Sequence, residues 1–335
     1  ASLVAYWHWH SLHYGQETYW KGVLGHDLEP GRVYDEVSRT AHELRRVGPV
    51  LASLKKKNRV AILYSLDSRV GLEVMPFDAS VGYMTVLDQM FRALYRLNVE
   101  TDFVFPSSRN LADYDLVLVP PLYVASDELL GRLADYVKGG GHVLMAFKSG
   151  FADENSTVRW TTMPGPLRSA CGFTYREFTN LKTPLPLKGD PYQDGPANTV
   201  SVWAEYLLPE SAQALAWYDH PVFGHYPAIT RNVYGKGTLT YEGTCLSDPL
   251  QQKVIAEALR GAGVPLGDAG LPAAVKVKHA VLADGTRVHA YFNFSAKAQT
   301  FTCPYPVSSD ILSGRKTALT GTISLGPWDL AILRE

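Results

Sequence analysis

The chain has 335 residues, of which 46% are hydrophobic and 19% charged, with a formal net charge of −1. That length exceeds what one core usually fills, so two or three domains are expected. The near-neutral balance, with no basic run beyond "LKKK" at 54–57, excludes a phosphate-binding surface and with it a nucleic-acid partner; no apolar stretch reaches the roughly 20 residues of a membrane span.

The first ten residues, "ASLVAYWHWH", read as a strand buried on both sides, and such a strand needs neighbours to pair with. No initiator methionine and no signal-peptide pattern precede it, so the expectation is the C-terminal part of a longer chain. Side chains alternate on a strand, so Trp7 and Trp9 would face one way and His8 and His10 the other. Residues 11–26 read as a loop holding His13, Glu17 and Trp20. Three readings compete for these residues. His8, His10 and His13 could bind a metal; the histidines could be satisfied by carbonyls while the tryptophans fill a core; or the tryptophans, imidazoles and Glu17 could form the wall of a sugar pocket. A helix is expected over 27–47, with Pro30 in its first turn and Val33, Val37, Ala41 and Leu44 on an apolar face. Gly48 and Pro49 then predict a kinked continuation or a second short helix.

From Arg59 the texture alternates. Strands are predicted at "RVAILYS", "TDFVF", "DLVLVP" and "GGGHVLMAF", with helices over 83–97 and 126–138, and the βαββαβ order indicates a parallel doubly wound sheet. Strands follow at "TVSVWAEYL", "PAITRNVY" and "GTLTYEGT", then a helix through "DPLQQKVIAEALRGAG". Residues 266–273 read as a linker, and the short strands after it predict a small antiparallel sandwich.

Cofactor motifs fail in turn. "SLDSRVG" after the first strand lacks the G-x-G-x-x-G turn and offers no bare helix N-terminus for a pyrophosphate. "YGKGT" at 234–238 reads as a hairpin turn, and the glycines at 139–141 as a helix end. The fold order suits class I glutamine amidotransferases, but the turn after "HVLMAF" is "KSG", without the nucleophilic cysteine. Cys171, Cys245 and Cys303 are few and far apart, which suits reduced thiols and a cytoplasmic protein. "SGFADENSTVR" at 149–159 is a loop at the carboxyl end of a strand, either plain surface or a contact with a neighbouring subunit.

The stretch "WHWHSLHYGQETYWKGVLGHDLEPGRVYDEV" resembles the end of the catalytic barrel in glycoside hydrolase family 42 β-galactosidases. The likeness runs on through "RVAILYS", "ADYDLVLVPPLYVASDELLGRLADYVKGGGHVLMAFKSGFADEN", "MPGPLRSACGF", "YGKGTLTYEGT" and the terminal strands. It implies residues 1–57 as the end of a (β/α)8 barrel, 58–265 as an amidotransferase-like trimerisation domain, and 270–335 as a C-terminal β domain. It implies a homotrimer that hydrolyses terminal β-D-galactosides with no cofactor. Retention of configuration would come from two glutamates about 5 to 5.5 Å apart, both upstream of residue 1, so none of the catalytic residues lies in this chain. Glu17 matches the family's glutamate that contacts galactose hydroxyls. At a nearby position where some members have histidine this chain has Trp20, so stacking or wall-building would replace a hydrogen bond there. Trp9 and His10, at the carboxyl end of the eighth barrel strand, and His13 in the loop after it would complete the substrate-binding set. Two rivals stand beside this reading: a non-enzymatic assembly or ligand-binding module, and a divergent amidotransferase or trehalose-utilisation-like hydrolase using His220 or His225.

Overall fold

A computed structural model describes residues 3–268, 270–306, 308–318 and 321–335. It divides into two compact units, Ala1–Lys57 with Gly270–Glu335, and Asn58–Ala269. Helices and strands combine as a mixed α/β chain with one largely parallel sheet and several antiparallel ones.

The strand expected at 1–10 does not form over residues 3–10, and its first two residues lie outside the described ones. Among residues 3–10 only His10 makes a β-bridge, to Leu24, and Leu3, Val4, Tyr6 and Trp7 are exposed. A ladder is a pairing property, and without a partner along its length an apolar run stays irregular whatever its composition. The alternation expected of Trp7, His8, Trp9 and His10 goes with it. Helix α1 spans Arg32–Ser53, starts five residues later than expected, and continues through Pro49 as one helix. Its expected apolar face is largely exposed among the described residues; Val47 is buried. Downstream of α1, Lys55 and Val281 exchange backbone hydrogen bonds of 2.8 and 2.9 Å.

The second unit opens with β1 (Val60–Leu63), α2 (Leu66–Val74), α3 (Tyr83–Arg96), β2 (Thr101–Val104), β3 (Leu116–Val119), α4 (Asp127–Gly139) and β4 (His142–Ala146). Helix α2 lies where a loop was expected. Its N-terminus is closed by the chain itself: Ser65 Oγ accepts from the Ser68 N–H at 3.1 Å. Ser126 and Ser247 cap two other helices in the same way, each satisfying an N–H that the helix leaves unpaired. Gly140, at φ +119°, ends α4 as the triple glycine predicts.

Next come α5 (Arg168–Cys171), β5 (Phe173–Thr174), β6 (Phe178–Pro186), β7 (Thr199–Glu205), β8 (Leu208–Pro209), β9 (Gln213–Trp217), β10 (Pro227–Tyr234), β11 (Gly237–Glu242), β12 (Thr244–Leu246) and α6 (Asp248–Gly261). The main sheet has the order β2-β1-β3-β4-β11-β10-β9. It is parallel from β2 to β11, and β10 and β9 are added antiparallel. Its strands feed two cores by alternation. Val60, Ile62, Leu116, Leu118 and Leu144 pack with α3 and α6, whereas Ala61, Leu63, Val117, Val119 and Val143 pack with α4 and α5. Burial on both faces is why β1 and β3 read as unbroken apolar runs. A second sheet, β12-β7-β6, is antiparallel. "YGKGT" is the expected hairpin turn, with Tyr234 paired to Gly237.

Beyond residue 270 lie β13 (Val275–Val281), β14 (Arg287–Asn293), β15 (Gln299–Thr302), β16 (Ser308–Asp310), β17 (Lys316–Thr317), β18 (Thr322–Leu325) and β19 (Leu330–Arg334). A five-stranded antiparallel sheet, β13-β14-β19-β16-β17, and the pair β15-β18 share one core, in which Val277, Tyr291 and Leu333 meet Phe301, Ile323 and Leu325.

Candidate functional site

The N-terminal segment is held by its backbone. The N–H groups of Val23 and Leu24 donate to the carbonyls of His8 and Trp9 at 2.9 and 2.8 Å, and that of Ser11 donates to Leu24 at 3.0 Å. The buried Ser11 hydroxyl also donates to the Leu24 carbonyl and accepts from the Gly22 N–H. Only glycine fits at position 22, since a Cβ there would stand 2.3 Å from the His10 carbonyl carbon. Residues 12–21 form a loop from this base, closed by a turn in which the Trp20 N–H donates to the Glu17 carbonyl at 2.9 Å.

The imidazoles hold this loop. His13 Nε2 donates to the His26 carbonyl at 2.6 Å, and His26 Nε2 to the Thr18 carbonyl at 2.7 Å. His10 Nδ1 donates to the Ser11 carbonyl. Because a carbonyl only accepts, these contacts fix which ring nitrogen carries hydrogen. The rings of His10 and His13 lie 5.7 Å apart, and Trp9 meets the Tyr34 ring of α1 edge-on at 6.3 Å. All five expected site residues, Trp9, His10, His13, Glu17 and Trp20, are exposed. The fold brings His10 and His13 together and joins Glu17 to Trp20 through one turn, while Trp9 sits apart against α1. No group of three or more His, Cys, Asp or Glu among the described residues is placed to hold a metal ion.

A second constellation stands at the carboxyl ends of the parallel strands, where such sheets place their chemistry. After β4 the chain turns sharply through Lys148 at φ +59° and Gly150 at φ +74°. Lys148 is only 7% exposed. Its ammonium lies 4.1 Å from the Trp203 ring centroid and 4.7, 5.5 and 5.6 Å from those of Phe151, Tyr123 and Phe178. The rings' negative faces attract the cation, but burial still holds the amine below its usual range, with the Glu205 charge opposing. Glu205, at the end of β7, is completely buried. Its carboxylate accepts from the Lys148 N–H at 2.8 Å, the Tyr241 hydroxyl at 2.9 Å and the Trp203 indole at 3.2 Å. Desolvation outweighs these donors and pushes the carboxyl up to about 7.

This constellation is a cation and a carboxylate closed in by aromatic rings. Cys171 is fully buried, and burial with the Glu205 charge raises its thiol far above the usual range, so it stays protonated. Lys148 and Glu205 escaped the sequence reading, although a charged residue interrupting the apolar runs "HVLMAFK" and "VSVWAE" was a visible signal. His220 Nδ1 accepts from the N–H groups of Val222 and Phe223 and its ring stacks on Phe223 at 3.7 Å; the His225 ring lies tilted against that of Tyr226 at 4.0 Å. His220 thus builds its own turn.

Comparison with known proteins follows the same division. Residues 58–265 match the family model described as "Beta-galactosidase trimerisation domain". The chain is 30% identical over 288 residues to "Beta-galactosidase Bga" of Halorubrum lacusprofundi, covering 83% of this chain and 40% of that protein. It is 31% identical over 247 residues to "Beta-galactosidase BgaB" of Geobacillus sp., covering 73% and 36%. The fold is similar to that of a crystal structure of a beta-galactosidase from Bacillus circulans sp. alkalophilus, with a TM-score of 0.86 and 24% identity over 95% of this chain and 47% of that one. The chain therefore spans about two fifths of the length of the curated relatives it matches.

Proposed function

The chain belongs to the beta-galactosidase trimerisation domain family, and from that premise we propose that it is the C-terminal part of a family 42 glycoside hydrolase that releases terminal β-D-galactose. The observation that carries this reading is the extent of the match: relatives named beta-galactosidases align far outside the family model's 58–265, one of them along the whole chain. In this reading residues 1–57 end a (β/α)8 barrel, 58–265 form an amidotransferase-like assembly domain of a homotrimer, and 270–335 a small β-sandwich. The lone bridge at His10 and the exposed apolar side chains of 3–9 support the first part, since they leave edges for neighbouring barrel strands to cover. The three free cysteines suit a cytoplasmic place.

Two glutamates upstream of this chain would act as nucleophile and acid/base, about 5 to 5.5 Å apart in a retaining enzyme. This chain's own residues would bind and orient. The Glu17 carboxylate, carried on the turn with Trp20, is free to accept from galactose hydroxyls, and the Trp9 and Trp20 faces suit the apolar side of a pyranose. His10 Nε2 and His13 Nδ1 remain open to accept from a hydroxyl, given the ring hydrogens fixed above.

The test is turnover of a chromogenic β-galactoside by the full-length protein and by the 335-residue chain alone. Full-length turnover with retention, and none by the 335-residue chain, is the expected pair. A full-length protein inert toward β-galactosides favours the non-enzymatic assembly module. Full turnover by the 335 residues alone overturns the placing of the catalytic glutamates.

A further inference from the structure

Trp160 is 98% exposed, although the chain around it is firmly held. Ala152 bridges both Val124 and Val158. Asp153 Oδ1 accepts from the N–H groups of Asn155 and Thr157, both at 2.9 Å. The Arg159 side chain, 10% exposed, pairs with Asp127 at the start of α4 and donates to the Ala125 carbonyl at 2.6 Å. On the other side, the Gly165 N–H donates to the Thr162 carbonyl at 3.0 Å. Ordering of this kind fixes the backbone of Trp160 while its indole gains nothing from folding, because almost none of its surface leaves water.

A rigidly carried tryptophan beside arginines is the composition of a binding anchor. Asp127, Asp153, Arg159, Thr162 and Arg168 border a hollow of about 530 Å³ that Trp160 also lines. A hollow and a protruding ring side by side suit a heterologous contact, in which each copy gives one surface and receives another. Such contacts close into rings when the rotation permits.

We propose that Trp160 and the 149–166 loop form an interface with a second copy of this chain, Trp160 being the principal anchor. The occupant follows from the family to which residues 58–265 belong, described by its assembly into trimers; the proposal rests on the self-association reading above and names its surface. Preorganisation matters here, because a loop already fixed loses little entropy when its partner docks.

The experiment compares full-length protein with its Trp160→Ala and Trp160→Phe variants by sedimentation velocity over a wide concentration range, with thermal melting to confirm folding. Loss of a central aromatic anchor weakens an interface by about 30-fold or more. The expected result is a trimer for the parent, dissociation at about 30-fold or more higher concentration for Trp160→Ala, and an intermediate shift for Trp160→Phe, with the melting of the diluted subunits unchanged. A trimeric parent whose Trp160→Ala variant dissociates at the same concentration overturns the anchor while leaving self-association standing; the upstream part of the same chain then becomes the candidate to cover Trp160. A parent that is monomeric throughout removes self-association itself, and the proposal with it.

Discussion

Glu242 offers a direct test of how the central unit is built. On β11, Tyr241 points to the core under α4 and α5, so by alternation Glu242 points to the opposite side, where it is 1% exposed. One side-chain donor faces it there, the Gln251 amide of α6, at 2.7 Å. Burial without a cation pushes the carboxyl from 4.5 up to about 8. The folded state then binds the proton more tightly than the unfolded chain, so the group leaves stability intact below pH 4.5 and erodes it as pH rises through 8. At about 1.4 kcal/mol per pKa unit, the erosion is about 3 kcal/mol by pH 7 and about 5 kcal/mol by pH 9. Glu242→Gln keeps an oxygen for Gln251 and cannot ionise. In denaturant unfolding from pH 5 to 9, the variant should gain on the parent by about 4 kcal/mol between the two ends, whatever its offset at pH 5, because a little of the erosion is already present at pH 5. Glu205 titrates in both proteins and drops out of the difference. Parallel pH profiles for the two would refute the reasoning, because they would mean that the carboxyl is as well solvated folded as unfolded.

Other outcomes follow from close packing and burial. Gly237→Ala should destabilise the central unit by about 3 kcal/mol or more: its Cβ would stand 1.9 Å from the Gly141 carbonyl oxygen and 2.4 Å from that of Val137, both backbone. A shift below about 1 kcal/mol in chemical denaturation would show that the β4–β11 junction yields more easily than its geometry allows. The thiols should resist a disulfide reagent at pH 8 in the native protein, Cys171 and Cys303 through burial and Cys245 because its pKa is pushed up to about 12, leaving about one thiolate in ten thousand. All three should react once denaturant is added, and a native thiol titrating within minutes contradicts this. The proposed sugar site predicts that, in the full-length protein, Glu17→Ala lowers kcat/KM for a galactoside about 10- to 100-fold, the worth of a charged hydrogen bond. Unchanged kinetics would move Glu17 out of the binding set.

The sequence was most legible where local pattern and global role coincide. β1, β3 and β4 are short apolar runs because both their faces are buried, and α4 shows its serine cap, its apolar stripe and its glycine stop in order. Helix α2 was lost because "LDSRVGLEV" is short and mixed, and it is recognised from its Ser65 cap and its packing of Leu72 more than from any periodicity. Strands β6 and β9 were lost because edge strands bury little and so carry little alternation.

By itself, the order of residues determined the alternating α/β unit and the antiparallel β region beyond 270, both written in runs and turns of fewer than twenty residues, and the likeness to one enzyme family, carried by longer stretches. Tertiary structure alone decided that 3–10 forms a β-bridge at His10 and no ladder, that Lys148 at a left-handed turn meets four rings drawn from separate parts of the chain, that Glu205 and Glu242 are buried, and that Trp160 is left in water. The reason is physical: a hydrophobic period records which side of an element turns inward, but pairing, desolvation and exposure depend on what distant parts of the chain bring to that side.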